Sequence, residues 1–171
     1  MKNKKLNVLF ALVFFTSGAF AQERSIEDIH SMMVFNFIKY VQWPNADQSG
    51  EFIIGVVGND EVYKKLSAWY AGKPNGSKTY VIKKFVSAAD ITECQVVYLD
   101  KSKSGEFDAV NQKVKGKSTL VVTNKSGLGA KGSCINFKTV DDKLKFELNK
   151  SAIEASNLKV SGSLTSMAIL I

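Results

Sequence analysis

Few side chains in this 171-residue sequence have the type and spacing that catalysis or metal binding needs. His30 is the only histidine, and a metal site or a nucleophile–base pair would require companions that the sequence does not supply. Asp60–Glu61 and Asp141–Asp142 are adjacent pairs, which are more typical of turns than of facing acid/base carboxylates. We therefore expect no catalytic activity, and we predict neither a metal nor another cofactor.

Two glycine-containing stretches resemble nucleotide-binding motifs. Segment 127–132, GLGAKG, fits G-x-G-x-x-G, but that fingerprint must open a helix, whereas here a strand is predicted from Cys134. Segment 116–119, GKST, resembles the tail of a phosphate-binding loop, yet Asn111 stands where the motif needs glycine. Neither stretch predicts a nucleotide site.

The two cysteines, Cys94 and Cys134, leave two alternatives open. A disulfide between them would close a loop of about 40 residues and stabilise the fold by roughly 4 kcal/mol on the chain-entropy model. Otherwise they are two separate, small, buried residues.

The start of the chain has the pattern of a secretory signal peptide. Three lysines within the first five residues precede the apolar run 6–15, and segment 19–21 has the small-x-small pattern of a cleavage site. A membrane anchor would need about 20 apolar residues, which exceeds this run. We predict a signal peptide at 1–21, cleavage after Ala21, and a periplasmic protein that does not insert into the membrane after cleavage.

The charge of the remaining chain does not indicate a nucleic-acid partner. The formal net charge of +7 falls to +4 when the three lysines of segment 1–21 are removed. Arg24 is the only arginine, and the other lysines are dispersed, whereas base recognition relies on bidentate arginine and clustered charge. Dispersed lysines favour a solubilising surface.

The stretch 35–44, FNFIKYVQWP, belongs to an amphipathic helix that begins near Ser25. Ser25 and Asp28 have the spacing of a capping box. The apolar residues that recur at helical spacing are Ile26, Ile29, Met33, Phe37 and Tyr40. Pro44 disfavours helical geometry at the residue before it, so we predict that the helix ends there. Phe35 projects toward the polar side.

Strands then alternate with helices along the chain. The predicted strands are 52–57, 79–85, 95–100 and 118–124, and the predicted helices between them include 61–72 and 104–116. Alternation at this spacing indicates a mainly parallel sheet covered on its faces.

The last part of the chain departs from that alternation. Segment 134–149 contains two strands around Asp141–Asp142, too close together for a crossover, so we predict an antiparallel hairpin. In its second strand Phe146 and Leu148 share one face, which leaves Glu147 on the opposite, solvent face. Two short helices follow, separated near Asn157. We predict an α/β fold in a single three-layer domain with a mainly parallel sheet, a C-terminal antiparallel hairpin and terminal helices.

Five segments, in this order, resemble the YfiR-like family of periplasmic regulatory proteins. They are FNFIKYVQWP (35–44), IGVVGND (54–60), CQVVYLD (94–100), INF (135–137) and FELNKSAIEASNLKVSGSL (146–164). The resemblance implies one YfiR-like α/β domain at 22–171, in some cases a homodimer. It also implies that this domain binds the periplasmic sensor region of an inner-membrane signalling protein and represses its output. That partner is expected to be a diguanylate cyclase of cyclic di-GMP signalling or a histidine kinase.

The resemblance places the partner-binding surface on the hairpin and the segment after it. The residues implied are Ile135, Glu147, Ile153 and Lys159, with Phe35 on the first helix as a further candidate. From the residues alone, the expectation is instead that Glu147 is a plain solvent-face side chain flanked by Lys145, and that Ile135 and Ile153 are plain core residues.

Two further expectations remain. Relatives in this family carry additional cysteines whose pairing is tied to redox sensing, but Cys134 does not stand where the resemblance places the partner of Cys94, so we do not expect redox control.

The alternative function is a small-ligand-binding periplasmic receptor, whose site would lie near 58–60 at the strand ends of the open sheet.

Overall fold

The computed structural model describes residues 24–44 and 48–171. The predicted signal peptide and its cleavage point after Ala21 lie outside the described residues. The helices are α1 (Ile26–Tyr40), α2 (Asp60–Tyr70), α3 (Phe107–Val114), α4 (Lys150–Ala155) and α5 (Gly162–Met167). The strands are β1 (Val41–Gln42), β2 (Gly50–Val57), β3 (Pro74–Asn75), β4 (Lys78–Phe85), β5 (Val96–Leu99), β6 (Leu120–Thr123), β7 (Ile135–Val140), β8 (Lys143–Leu148), β9 (Lys159–Val160) and β10 (Ile169–Leu170). Among the helices in these ranges, none is long and apolar enough to cross a membrane.

Helix α1 begins at the predicted capping box but ends earlier than predicted. Ser25 Oγ accepts a hydrogen bond from Asp28 N, and the Asp28 carboxylate accepts one from Ser25 N, each at 3.2 Å. The helix stops at Tyr40, so the predicted end at Trp43 is wrong. The next residue, Val41, has an extended backbone because it belongs to β1, which pairs antiparallel with β9.

The main sheet has eight strands in the order β10-β8-β7-β6-β5-β2-β4-β3. Strand β2 pairs in parallel with β4 on one side and with β5 on the other, and β5, β6 and β7 continue in parallel. The prediction of a mainly parallel α/β sheet is therefore confirmed. The chain reverses its direction of travel across the sheet between β4 and β5, so β2 and β5 form a topological switch point.

Strands β7 and β8 pair antiparallel, from Ile135 opposite Leu148 to Val140 opposite Lys143. Between them Asp141 and Asp142 both have positive φ, 49° and 57°, as a two-residue type I′ hairpin turn requires. Strand β10 then pairs in parallel with the outer side of β8.

The central strands and α1 form the core. All residues of β5 and β6 are buried, as expected for parallel strands covered on both faces. Helix α1 covers the hairpin end of the sheet: the Phe37 ring lies 5.7 Å from that of Phe137 and 4.9 Å from that of Phe146, between centroids. The His30 ring stacks on Phe137 at 4.2 Å. Within stretch 35–44, Phe37 therefore helps to dock α1 on the sheet.

Candidate functional site

Glu147 is buried, so its predicted position on a solvent-facing strand surface is wrong. Its side chain is only 10% exposed. The loop between β6 and β7 packs over it at Gly129, where an added Cβ would come within 2.5 Å of Glu147 Oε2. The alternation of strand residues correctly separates the two faces of the hairpin, but it does not reveal that a loop covers the second face.

The buried carboxylate is held by a chain of hydrogen bonds across three strands. Lys138 Nζ donates to Glu147 Oε1 at 2.7 Å, and Asn136 Nδ2 donates to Glu147 Oε2 at 2.9 Å. The Thr123 hydroxyl in turn donates to Asn136 Oδ1 at 2.7 Å. Asn136 and Thr123 are fully buried, whereas the Lys138 side chain is 41% exposed. The buried network therefore holds the Lys138 ammonium group in place at the surface.

The ionisation of Glu147 reflects this balance. Burial alone raises the pKa of its carboxyl, but the hydrogen bonds from Lys138 and Asn136, together with the Lys138 charge, outweigh burial and hold the pKa below its ordinary value. Glu147 is thus an anion, and its carboxylate positions the exposed Lys138 side chain.

The other predicted partner-binding residues divide between core and surface. Ile135 and Ile153 are 0% and 2% exposed, so they lie in the core. This agrees with the expectation, from the residues alone, that they are plain core residues. Lys159 is exposed in β9, opposite Gln42. Phe35 is half-buried and stacks on Tyr70 of α2 at 3.8 Å between centroids.

Exposed apolar side chains mark the outer edge of the hairpin, and sequence reasoning missed them. Met167, Leu170 and Ile171 are 55%, 44% and 45% exposed. Strand β10 places Ile169 beside Glu147 in register, and the Ile171 side chain reaches Gly129 on the same face. The apolar run MAILI at 167–171 is the signal available in the sequence. Leu170 pairs in register with Leu148, so its side chain projects from the other face of β10 at this sheet edge. We call Lys138, Lys145, Met167, Leu170 and Ile171 together the hairpin surface.

A second polar cluster lies at the switch point, where a small-ligand site was the alternative prediction. Asn59, Asp100 and Asn124 follow β2, β5 and β6, and the Asp100 carboxylate accepts hydrogen bonds from Asn59 Nδ2 at 3.1 Å and Asn124 Nδ2 at 2.9 Å. Tyr98 OH accepts from Asn124 Nδ2 at 3.0 Å and lies 2.9 Å from His30 Nδ1. These groups bind one another, so this edge of the sheet is tied together by its own side chains.

Burial and hydrogen bonding together set the pKa values in this cluster. Burial lowers the pKa of His30 to about 4, although the Asp100 carboxylate opposes that shift. Burial alone raises the pKa of Asp100, but hydrogen bonds from Ser102, Asn59 and Asn124 lower it below its ordinary value. His30 is therefore neutral and Asp100 ionised near neutral pH.

Cys94 and Cys134 are free thiols, so the disulfide alternative is not realised in the structure. Both are buried, at 1% and 2% exposure. Cys94 precedes β5 and Cys134 precedes β7, with β6 between them. Strands two positions apart are separated by roughly 9–10 Å, which is beyond the Cα separation of about 7 Å that a disulfide can bridge. Burial raises the pKa of the Cys94 thiol to about 12 and also raises that of Cys134, so both thiols are poor nucleophiles.

Among residues 24–44 and 48–171 we find no group of three or more His, Cys, Asp or Glu side chains that could hold a metal ion.

Comparison with solved structures supports the fold. A conserved domain protein from Vibrio cholerae matches with a TM-score of 0.52 and 14% identity, over 86% of this chain and 60% of that chain. The ABC domain in complex with L-Trp from Streptococcus pneumoniae matches with a TM-score of 0.50 and 10% identity, over 70% of this chain and 54% of that chain. This chain therefore spans less than two thirds of either protein, and at these identities the likeness shows the fold alone.

Sequence comparison identifies the family. No curated protein matches the chain at a significant level. The family model described as YfiR/HmsC-like matches residues 27–169, which include the hairpin and the switch-point cluster and end at the first residue of β10. The chain therefore belongs to the YfiR/HmsC-like family of periplasmic regulators.

Proposed function

We propose that this chain is exported through the inner membrane, cleaved after Ala21, and binds the periplasmic sensor region of an inner-membrane signalling protein whose output it represses. The signalling protein would be a diguanylate cyclase or a histidine kinase. The observation that carries the proposal is the match of the regulator family over residues 27–169. The protein would act by docking, without catalysis.

The hairpin surface has the composition that docking needs. Stable protein contacts centre on an apolar anchor surrounded by polar groups that exclude water. Met167, Leu170 and Ile171 supply exposed apolar area, and Lys138 and Lys145 supply cations beside it. Lys138 is already held by Glu147, so less conformational entropy is lost when it contacts a partner. Acidic side chains on the sensor would complement this surface.

The proposal makes Glu147, Ile135 and Ile153 supporting residues. Glu147 lies beneath Lys138 and would act through it, whereas Ile135 and Ile153 would act by keeping the core packed. Lys159 lies on the separate β1–β9 pair, and Phe35 lies on the α1–α2 face. Either could extend the contact or contribute to a homodimer.

Docking is tested by calorimetry between the purified protein and the periplasmic domain of a candidate membrane sensor from the same genome. Met167→Glu places a charge in the proposed apolar anchor, so it should weaken binding about tenfold or more, as for a residue at the centre of an interface. Val86→Glu is the matched control. Val86 is 71% exposed and follows β4, which lies near the β3 edge of the sheet, whereas β10 forms the opposite edge.

Both variants should melt within a few degrees of the wild type, since both positions are exposed. Equal binding by Met167→Glu and the wild type would remove the hairpin surface from the proposal. The repressor function itself would be contradicted if the wild type failed to bind the sensor domain. It would also be contradicted if cells lacking this protein showed no increase in the signalling output.

A further inference from the structure

A cleft of about 830 Å³ opens at the amino-terminal ends of the parallel strands, at the opposite end of the sheet from the switch-point cluster. It is lined by the segment that follows α1, by the start of β4, and by the residues that lead into β5 and β6. This volume lies in the upper part of the range of roughly 300–1,000 Å³ that is typical of small-molecule sites. We call it the Trp43 cleft, after the largest side chain in its lining.

The aromatic part of the lining is rigid. The Trp43 indole Nε1 donates to the Gln95 carbonyl at 3.3 Å, and its ring packs edge-to-face with Phe52 at 5.0 Å between centroids. Phe52 is 3% exposed, whereas Trp43 is half-buried. The cleft therefore presents a fixed aromatic surface of the kind that packs against the apolar face of a ring.

The polar part of the lining consists largely of amides with unused hydrogen-bonding capacity. Gln95 Oε1 accepts from Ile53 N at 2.6 Å, which fixes the side chain, while its NH₂ group has no acceptor in the described part of the chain. Gln42 and Asn75 also line the cleft, and neither side chain is hydrogen-bonded within 24–44 and 48–171. A side-chain amide offers a donor and an acceptor side by side, which matches neighbouring hydroxyl groups.

The charges of the lining favour an anion. Lys78 and Lys117 line the cleft with one acidic residue, Glu93, and none of the three forms an ion pair within the described ranges. Lys117 is presented by a tight turn in which Gly116 and Ser118 have φ of 75° and 49°. Ser118 is a non-glycine residue in the left-handed region, a strained conformation that is concentrated at ligand sites.

We propose that the Trp43 cleft binds an oligosaccharide that carries carboxylate groups. Trp43 would pack against the apolar face of one sugar ring, the amides would bind hydroxyls, and Lys78 and Lys117 would bind the carboxylates. A single aromatic acid could use Trp43 and one lysine, but it would leave the amides and most of the volume unfilled. Binding at this cleft does not depend on docking at the hairpin surface, because the two lie on different parts of the sheet.

The test is titration of the purified protein with trigalacturonate, followed by calorimetry and tryptophan fluorescence. The protein has two tryptophans, so a Trp69→Phe variant reports on Trp43 alone. We expect saturable binding with a change in Trp43 emission. Lys117→Glu and Lys78→Glu should each weaken binding about tenfold, since each removes a charge-assisted hydrogen bond. Lys125→Glu is the matched control, because Lys125 is exposed beyond the opposite, carboxyl end of β6.

Neutral maltotriose and monomeric galacturonate separate the parts of the proposal. Both should bind at least about tenfold more weakly than trigalacturonate, because the first lacks the carboxylates and the second lacks the additional rings. Equal affinity for maltotriose would overturn the role of the carboxylates, and equal affinity for galacturonate would overturn the oligosaccharide. No saturable binding of trigalacturonate to folded protein would reject the site. Binding that is unchanged in Trp43→Phe and Lys117→Glu would also reject it.

Discussion

Replacing Glu147 by Lys should strongly destabilise the protein, although the position lies on a strand face that alternation alone assigns to solvent. The substitution places an ammonium group under the Gly129 loop, against Lys138 Nζ and Asn136 Nδ2, which now donate to the Glu147 carboxylate at 2.7 and 2.9 Å. The new side chain would meet two donors and no acceptor. It would also be longer than the glutamate that already touches Gly129.

The magnitude follows from which partner can recover its hydrogen bond. Lys138 is 41% exposed and can turn to water, so losing this ion pair costs little beyond the bond itself. Asn136 is 0% exposed, and leaving its NH₂ group unsatisfied costs about 1–3 kcal/mol. Removing one partner of a fully buried pair costs about 3–5 kcal/mol, which sets an upper bound here. We expect a loss of about 2–4 kcal/mol in the free energy of unfolding.

The assay is urea unfolding of the purified variants, followed by tryptophan fluorescence. Lys145→Glu is the matched control: it reverses a charge on the same face two residues away, but the side chain is exposed, so its effect should stay within about 0.5 kcal/mol. Glu147→Gln retains an acceptor for Asn136 and should fall between the wild type and Glu147→Lys. A Glu147→Lys protein as stable as the Lys145→Glu control would refute the buried network.

Three further predictions concern other parts of the chain. Because the folded-state pKa of His30 is lowered from 6.5 to about 4, the unfolded chain binds the extra proton first on acidification. Stability should therefore fall by about 3 kcal/mol as the pH drops from 6.5 to 4, and a His30→Gln variant should show a flatter pH profile of urea midpoints. Alkylation under native conditions without reductant should label neither Cys94 nor Cys134, because both are buried. In urea without reductant, both thiols should be labelled. Protection from alkylation that persists in urea and is lost on reduction would show a disulfide. Gly129→Ala should lower the melting temperature, because its Cβ would lie 2.5 Å from Glu147 Oε2, and an unchanged melting temperature would argue against the covered carboxylate.

The local elements of the fold were predictable because local rules decide them. The Ser25–Asp28 capping box and the strand–helix alternation depend on residues close in sequence, and the structure confirms both. Strands β1 and β9 were not predicted, because two-residue strands carry no periodicity and form only through their pairing with each other. The same pairing ends α1 at Tyr40, which Pro44 alone does not explain.

The candidate site was less predictable, because burial there depends on contacts distant in sequence. Alternation in β8 puts Glu147 on the face opposite Phe146, but only the position of Gly129 shows that this face is covered. Ile135 and Ile153 were expected either in the core or at a partner surface, and packing places them in the core. The resemblance points to the hairpin and the segment after it, and within that region the exposed side chains include Lys138, Met167, Leu170 and Ile171.

The most direct test of the proposed docking is hydrogen–deuterium exchange of the purified protein with and without the periplasmic domain of a candidate membrane sensor. Edge strand β10 pairs with a strand on one side, and its exposed neighbours Met167 and Ile171 lie in the proposed contact. The account predicts that the sensor domain slows exchange in segments 138–145 and 165–171, and leaves the 74–86 region unchanged. Slowed exchange at 74–86 with none at 138–145 or 165–171, or no protection at sensor concentrations that saturate binding, would contradict it.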